Sequence, residues 1–205
     1  MNPFQSITCG PYQTKVYYAI DSRSALVIDA APESFDALKS LLIGKKVQVL
    51  LTHGHWDHVA DASKFQQELH ATLYGHPADS DWFNGIHQPS VMLPGTQYTL
   101  FTPDHWLQDN QIIETFIGAF QVLHLPGHTA GCVGFHQASS GILFSGDTLF
   151  CNAVGRTDLT DGSFKSLATS IDKLLQLPLT TQAFPGHGRS TTLQEAKVFW
   201  DNEYR

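Results

Sequence analysis

The run His53-Gly54-His55-Trp56-Asp57-His58 carries three imidazoles and one carboxylate directly after the apolar stretch Val47 to Leu51. Such a density of neutral nitrogen and anionic oxygen donors is suited to chelation. Imidazole and carboxylate suit zinc, iron or manganese, and geometry rather than intrinsic affinity selects among them. In an extended or looping segment, His53 and His55 point to one side while Asp57 and His58 diverge, which would feed two neighbouring metal sites better than one. Three later segments place further donors in glycine-containing turns: Leu125-Pro126-Gly127-His128-Thr129, Phe144-Ser145-Gly146-Asp147-Thr148 and Phe184-Pro185-Gly186-His187-Gly188. Each follows an expected strand. Glycine lets a backbone turn tightly beside a bound ion, so these loops are expected to converge with the first motif at one edge of the fold. The candidate ligands are therefore His53, His55, Asp57, His58, His128, Asp147 and His187.

Of the eleven histidines, His70, His76, His87, His105, His124 and His136 lack this turn context. They read as surface or structural groups. His124 stands apart from the other five, because it lies close before His128 and could orient a ligand through its other ring nitrogen. Cys9, Cys132 and Cys151 form no Cys-x-x-Cys pair and read as small buried apolar residues. Cys151 follows Asp147 closely but has no neighbouring base, so a covalent mechanism is not indicated.

The elements that must carry these residues can be read from periodicity. Val16 to Ile20 and Ala25 to Asp29 form an expected hairpin around Asp21-Ser22-Arg23-Ser24. Pro32-Glu33-Ser34 opens an amphipathic helix through Leu42, with Gly44 as its stop. Lys46 to Thr52 is a strand that delivers the histidine run to its carboxyl end, where open α/β architectures place ligands. A helix over Ala60 to Leu69 and a strand over Thr72 to Tyr74 follow. Residues 84 to 95 are rich in Gly, Pro and polar types and read as a surface loop facing substrate. Strands are expected over 112–117, 120–125, 132–136, 142–145 and 182–184, and helices over 163–175 and 193–200. The consecutive strands between Ile112 and Ser145 have short connections that favour antiparallel pairing, which disfavours a doubly wound parallel sheet. Two β-rich blocks, each with helices, pack most economically as an αββα sandwich, an α/β fold by one scheme and α+β by others.

With 205 residues and no dividing linker or repeat, the chain is expected to form a single domain over 1–205. The net charge of -7 and the absence of a Lys/Arg cluster argue against a nucleic-acid partner. No apolar run approaches the length of a membrane span, and the first residues have neither the basic start nor the apolar stretch of a secretory signal. A cytoplasmic location and a small-molecule substrate are expected.

The four motifs together resemble those of the metallo-β-lactamase fold superfamily, and within it the short bacterial glyoxalase II-like hydrolases. Thr52 to His58 matches the His-x-His-x-Asp-His signature, and Pro126-Gly127-His128-Thr129, Gly146-Asp147-Thr148-Leu149-Phe150 and Pro185-Gly186-His187-Gly188 match the later motifs in order. The resemblance implies the αββα fold and two divalent metal ions. One would be held by His53, His55 and His128 and the other by Asp57, His58 and His187, with Asp147 bridging. Zinc is the first expectation for both, with iron or manganese as alternatives. It also implies hydrolysis of a small thioester or ester by a metal-bridging hydroxide that Asp57 positions. A thiolate, with a pKa of about 8.5, leaves without the general acid that an amine would need, so a site of this kind suits thioesters.

The chain departs from the family pattern in places. Full-length glyoxalase II enzymes grip glutathione partly with a helical extension, whereas this sequence ends at Arg205 soon after the last motif. Arg156 stands where longer enzymes carry a glutathione-contacting lysine. Its planar fork could bind a substrate carboxylate or pair with Asp158 or Asp161. Lys15, Asp29-Ala30-Ala31 and Ala60-Asp61 replace commoner family residues and are expected to alter the rim or the local loops. The runner-up by resemblance is a persulfide dioxygenase with one iron on His53, His128 and Asp147. A β-lactamase is disfavoured by Asp147 and by the N-terminus, and a module merely stapled by metal would have saturated ligands with no exchangeable water.

Overall fold

The computed structural model describes residues 3–87 and 99–205. Two six-stranded mixed sheets face each other. The first, in order β1 to β6, comprises β1 (Gln5–Cys9), β2 (Thr14–Ile20), β3 (Ser24–Ile28), β4 (Lys46–Leu50), β5 (Thr72–Gly75) and β6 (His105–Trp106). The second, in order β12 to β7, comprises β7 (Ile112–Thr115), β8 (Gly118–His124), β9 (Val133–Gln137), β10 (Ile142–Gly146), β11 (Gln182–Pro185) and β12 (Thr191–Thr192). The helices are α1 (Ser34–Leu42), α2 (Trp56–Val59), α3 (Ala62–Leu69), α4 (Ser80–Phe83), α5 (Phe164–Leu174) and α6 (Leu193–Tyr204).

The strands alternate between two cores, as period-2 geometry requires. On β3, Leu26 and Ile28 point inward to Phe120, Val122, Phe135 and Phe144 of the facing sheet. Their neighbours Ala25 and Val27 point outward, where Phe35, Leu38 and Leu42 of α1 and Phe65 of α3 cover them. On the far side, Leu123 and Leu143 meet Leu167, Ile171 and Leu174 of α5 and Leu193, Ala196 and Trp200 of α6. The four layers are helix, sheet, sheet, helix, as the strand and helix pattern implied. Each fully buried Leu, Ile or Phe contributes roughly 1.5–3 kcal/mol relative to exposure. The strands between Ile112 and Ser145 are antiparallel, whereas β3 to β6 and the β10–β11 pair are parallel.

Several boundaries differ from the periodicity. The expected strands 112–117 and 120–125 instead turn at Phe116-Ile117, because the Thr115 hydroxyl donates to the carbonyl of Gly118 at 2.6 Å and accepts from the Ile117 amide. Phe116 and Ile117 then pack on the core between the sheets. The helix expected over Ala60 to Leu69 starts at Ala62, after the separate turn α2, and the break falls at Ala60-Asp61. There the Asp61 amide donates to Ala30 and its carboxylate accepts from the Phe35 amide, tying the break to the start of α1. Strands β1, β6 and β12 and helix α4 had no clear period: β1 has one apolar face of only two residues, and β6 and β12 are two residues each. The loop expected over 84–95 lies outside the described residues from 88 onward. Among the described residues no helix is long and apolar enough to cross a membrane.

Candidate metal centre

Four loops leave the carboxyl ends of β4, β8, β10 and β11 at one edge of the sandwich, and these are the loops that carry the candidate ligands. Backbone hydrogen bonds stitch the two sheets together there. The Val133 amide donates to the carbonyl of Thr52 at 2.8 Å, and the Lys15 amide to that of Gly186 at 2.7 Å. The last motif requires glycine for space, since a Cβ at Gly186 would lie 2.3 Å from Asp147 Oδ1 and 2.5 Å from His58 Cε1.

All seven sequence-derived candidates come together. Ligand atoms of His53, His55 and His128 lie within 4.8 Å of one another, as do those of Asp57, His58 and His187, and those of His53, His58 and Asp147. His55 Nδ1 is 2.8 Å from His128 Nε2, and His58 Nε2 is 3.3 Å from His187 Nε2. Asp147 reaches both groups: Oδ1 is 3.4 Å from His58 Nε2, while Oδ2 is 3.4 Å from His187 Nε2 and 3.6 Å from His128 Nε2.

The outer faces of the rings decide what the inner faces present. His58 Nδ1 meets the Asp29 carboxylate at 2.7 Å, His128 Nδ1 the carbonyl of Arg156 at 2.8 Å, and His187 Nδ1 the carbonyl of Tyr12 at 3.0 Å. Carboxylates and carbonyls only accept, so each of these nitrogens carries the proton and each Nε2 turns a lone pair inward in the neutral ring. His53 follows by one further link. The Thr52 hydroxyl donates to Asp29 Oδ2 at 2.9 Å, leaving its lone pair for His53 Nδ1 at 3.1 Å. His53 Nε2 is then a buried acceptor with no hydrogen-bond partner. Convergent lone pairs beside two carboxylates fit a cation and would repel one another without one.

The electrostatics divide the rings into two groups. Burial and the neighbouring imidazoles push His53 well below its ordinary value and His55 down to about 3, keeping both neutral. Burial pushes the Asp57 and Asp147 carboxyls up, but the nearby imidazoles, His58 first, outweigh it and hold both below the usual range. The same contacts act on the partner rings: against burial, Asp147 and Asp57 lift His58 well above its ordinary value and His187 to about 9. Asp57 is also fixed by the Thr14 hydroxyl, which donates to Oδ2 at 3.0 Å.

The centre forms the floor of a cavity of about 300 Å³, whose walls include Trp56, Trp82 and Leu159, with Arg156 at its margin. The Arg156 side chain is exposed and bidentate on Asp158, with both contacts at 2.7 Å. Of the two sequence readings, the ion pair is the one present. None of the six remaining histidines joins a ligand cluster among the described residues. His124 does not orient a ligand: its Nε2 meets the carbonyl of Ala130 at 2.9 Å and its ring stacks on His76. His87 pairs with Asp161 at 2.9 Å, and His105 stacks on Tyr74. The three cysteines are free and buried.

Three contributors escaped the sequence reading. Asp29 and Thr52, taken as a strand end and a strand residue, fix His58 and His53. Asp79 accepts hydrogen bonds in two ligand loops. A carboxylate directly after an apolar strand was the available signal for Asp29; nothing in the sequence marked Asp79.

Residues 9–187 match the model of the metallo-beta-lactamase superfamily. The chain is 34% identical over 183 residues, 86% of each protein, to the hydroxyacylglutathione hydrolase GloC of Haemophilus influenzae. It also superposes on the crystal structure of the BLEG-1 B3 metallo-beta-lactamase with a TM-score of 0.83 at 30% identity, covering 96% of this chain and 99% of that one. For TTHA1623, solved in a di-iron-bound form, the TM-score is 0.76 at 32% identity over 93% and 96% of the two chains. The chain belongs to the metallo-beta-lactamase superfamily, and its two helix-flanked mixed sheets are that family's fold.

Proposed function

We propose that this protein is a dinuclear metal-dependent hydrolase of a small thioester or ester, with Asp57 acting in the chemistry and zinc as the first candidate at both positions. His53, His55 and His128 would hold one cation and Asp57, His58 and His187 the other, with Asp147 within reach of both groups. The observation that carries this reading is four imidazoles, each fixed at Nδ1 from behind so that Nε2 faces inward, around a carboxylate within reach of both groups. The similarity to a hydroxyacylglutathione hydrolase supports a glutathione-derived thioester as substrate.

Two divalent cations held there would supply an acidified water near neutral pKa and polarise the scissile carbonyl. The protein's own groups do the rest. Trp56, Trp82 and Leu159 enclose the acyl part of the substrate and exclude bulk water. Asp57, which lines the cavity and is held at Oδ2 by Thr14, would orient the attacking water and take up its proton. A departing thiolate needs no acid. A substrate carboxylate can bind Arg156 by displacing Asp158 from its fork.

The test is a panel of S-lactoylglutathione, a simple neutral thioester and glutathione persulfide, assayed with oxygen uptake recorded. Thioester cleavage without oxygen uptake is expected. Oxygen consumption with the persulfide and no thioester cleavage would establish the mononuclear iron dioxygenase instead.

A further inference from the structure

Asp79 is fully buried and lies outside the ligand motifs, at the end of the short helical turn Pro77–Asp79. Its Oδ2 accepts from the Gly54 amide at 2.7 Å and from the Thr129 hydroxyl at 2.8 Å, and its Oδ1 from the Gly131 amide at 2.6 Å. The two amides can only donate and the hydroxyl lies within donating distance, so the carboxylate accepts three hydrogen bonds, which offset part of the burial that raises Asp79. Their locations matter: Gly54 sits between His53 and His55, whereas Thr129 and Gly131 follow His128. One carboxylate therefore clamps the two loops that supply a single cluster of three imidazoles.

Both loops are shaped around it. A Cβ at Gly131 would lie 2.5 Å from Asp79 Cγ, and a Cβ at Gly54 would lie 3.2 Å from Asp79 Cβ and 2.5 Å from Trp82 Cβ. Trp82 follows Asp79 on the same segment and meets the His55 ring edge-on, with centroids 4.7 Å apart. Segment 79–82 thus holds the outer side of the cluster by hydrogen bonds at Asp79 and by ring contact at Trp82.

We propose that Asp79 is a positioning residue of the metal centre, setting the separation of the His53–His55 loop from the His128 loop and thereby the cation affinity of that triad. This rests on the reading of His53, His55 and His128 as ligands. Asp79 touches neither ligand atoms nor cavity, and it acts through the backbone on which the ligands ride.

The experiment titrates the metal-free full-length protein with Zn2+ against a competing chelator, for wild type, Asp79→Asn and Thr129→Val. Asn keeps the shape but turns an amide N–H toward a donor; Val removes one of the three hydrogen bonds and keeps the volume. The expected result is a 10–100-fold weaker first-cluster affinity in Asp79→Asn and a smaller loss in Thr129→Val, with the Asp57, His58 and His187 affinity unchanged. Co2+ loaded in place of zinc should show an altered absorption spectrum for one of two ions. Equal weakening of both positions, or wild-type affinity in both variants, overturns the proposal. Thr129→Val decides alone should Asp79→Asn fail to fold, and wild-type affinity there overturns it. Failure of the wild type to bind Zn2+ tightly would instead overturn the ligand assignment itself.

Discussion

Nδ1 of His58 lies 2.7 Å from Oδ2 of Asp29, and both side chains are almost wholly buried. Asp29 takes a left-handed backbone conformation, φ 65°, directly after β3, and its other oxygen accepts from the Thr52 amide at 2.7 Å. The carboxylate thereby joins the end of one strand to the loop leaving its neighbour and fixes the proton on His58. Asp29→Ala would leave a buried imidazole N–H and a buried amide unpaired. Breaking a buried pair of this kind costs on the order of 3–5 kcal/mol. Urea denaturation of the metal-free protein should read a loss of that size, and an unchanged midpoint would refute the pairing.

Protonation gives a second expectation. In the metal-free protein His187 is raised from 6.5 to about 9 by Asp147 and Asp57 acting against burial, and His58 is raised in the same direction. A histidine raised on folding stabilises fully below its unfolded value and loses that contribution as pH climbs through the folded one. The urea midpoint of the metal-free protein should therefore fall between pH 6.5 and 9. His187→Gln should flatten the decline, and a wild-type profile that rises over this window would contradict the assignment. The same protons must leave when a cation binds, so Zn2+ uptake at neutral pH should release protons into a weak buffer.

The helix-and-sheet layering and the convergence of seven donor side chains at one edge were legible in the sequence, for a physical reason. These donors sit at strand ends, where apolar alternation stops abruptly and glycine marks the turn, as at Leu125-Pro126-Gly127-His128. Groups that act from behind leave no such mark. Asp79 donates nothing to the periodicity of its neighbours, and Thr52 reads as the last residue of a strand. The Arg156 carbonyl that holds His128 belongs to the backbone, which no side-chain pattern reports. Strands β6 and β12 are too short to show alternation and exist because a neighbour pairs with them.

Gly186→Ala tests close approach. Its methyl would press on Asp147 Oδ1 and His58 together, displacing two candidate ligands without touching any of the three hydrophobic clusters. A misplacement of about 1 Å at a reacting centre costs on the order of a hundredfold in rate. Turnover and bound zinc should fall together, while the circular dichroism spectrum remains native. Full zinc content with full turnover would show that the loop yields freely.

Arg156 carries a prediction about substrate charge. Its side-chain pair with Asp158 is exposed and screened by water, so neither Arg156→Ala nor Asp158→Asn should change stability or zinc content measurably. Asp158→Asn frees the fork and should lower KM for an anionic glutathione thioester by up to about tenfold, leaving KM for a neutral thioester unchanged. Equal effects on both substrates would remove Arg156 from substrate binding.

If two cations share the Asp147 carboxylate, the metal content of Asp147 variants must report it. Wild-type protein reconstituted with Zn2+ and freed of excess should carry two ions per chain, and Asp147→Ala should lose zinc and thioester hydrolysis together. Two ions per chain in Asp147→Ala with wild-type turnover, or a single ion in the wild type, would contradict it.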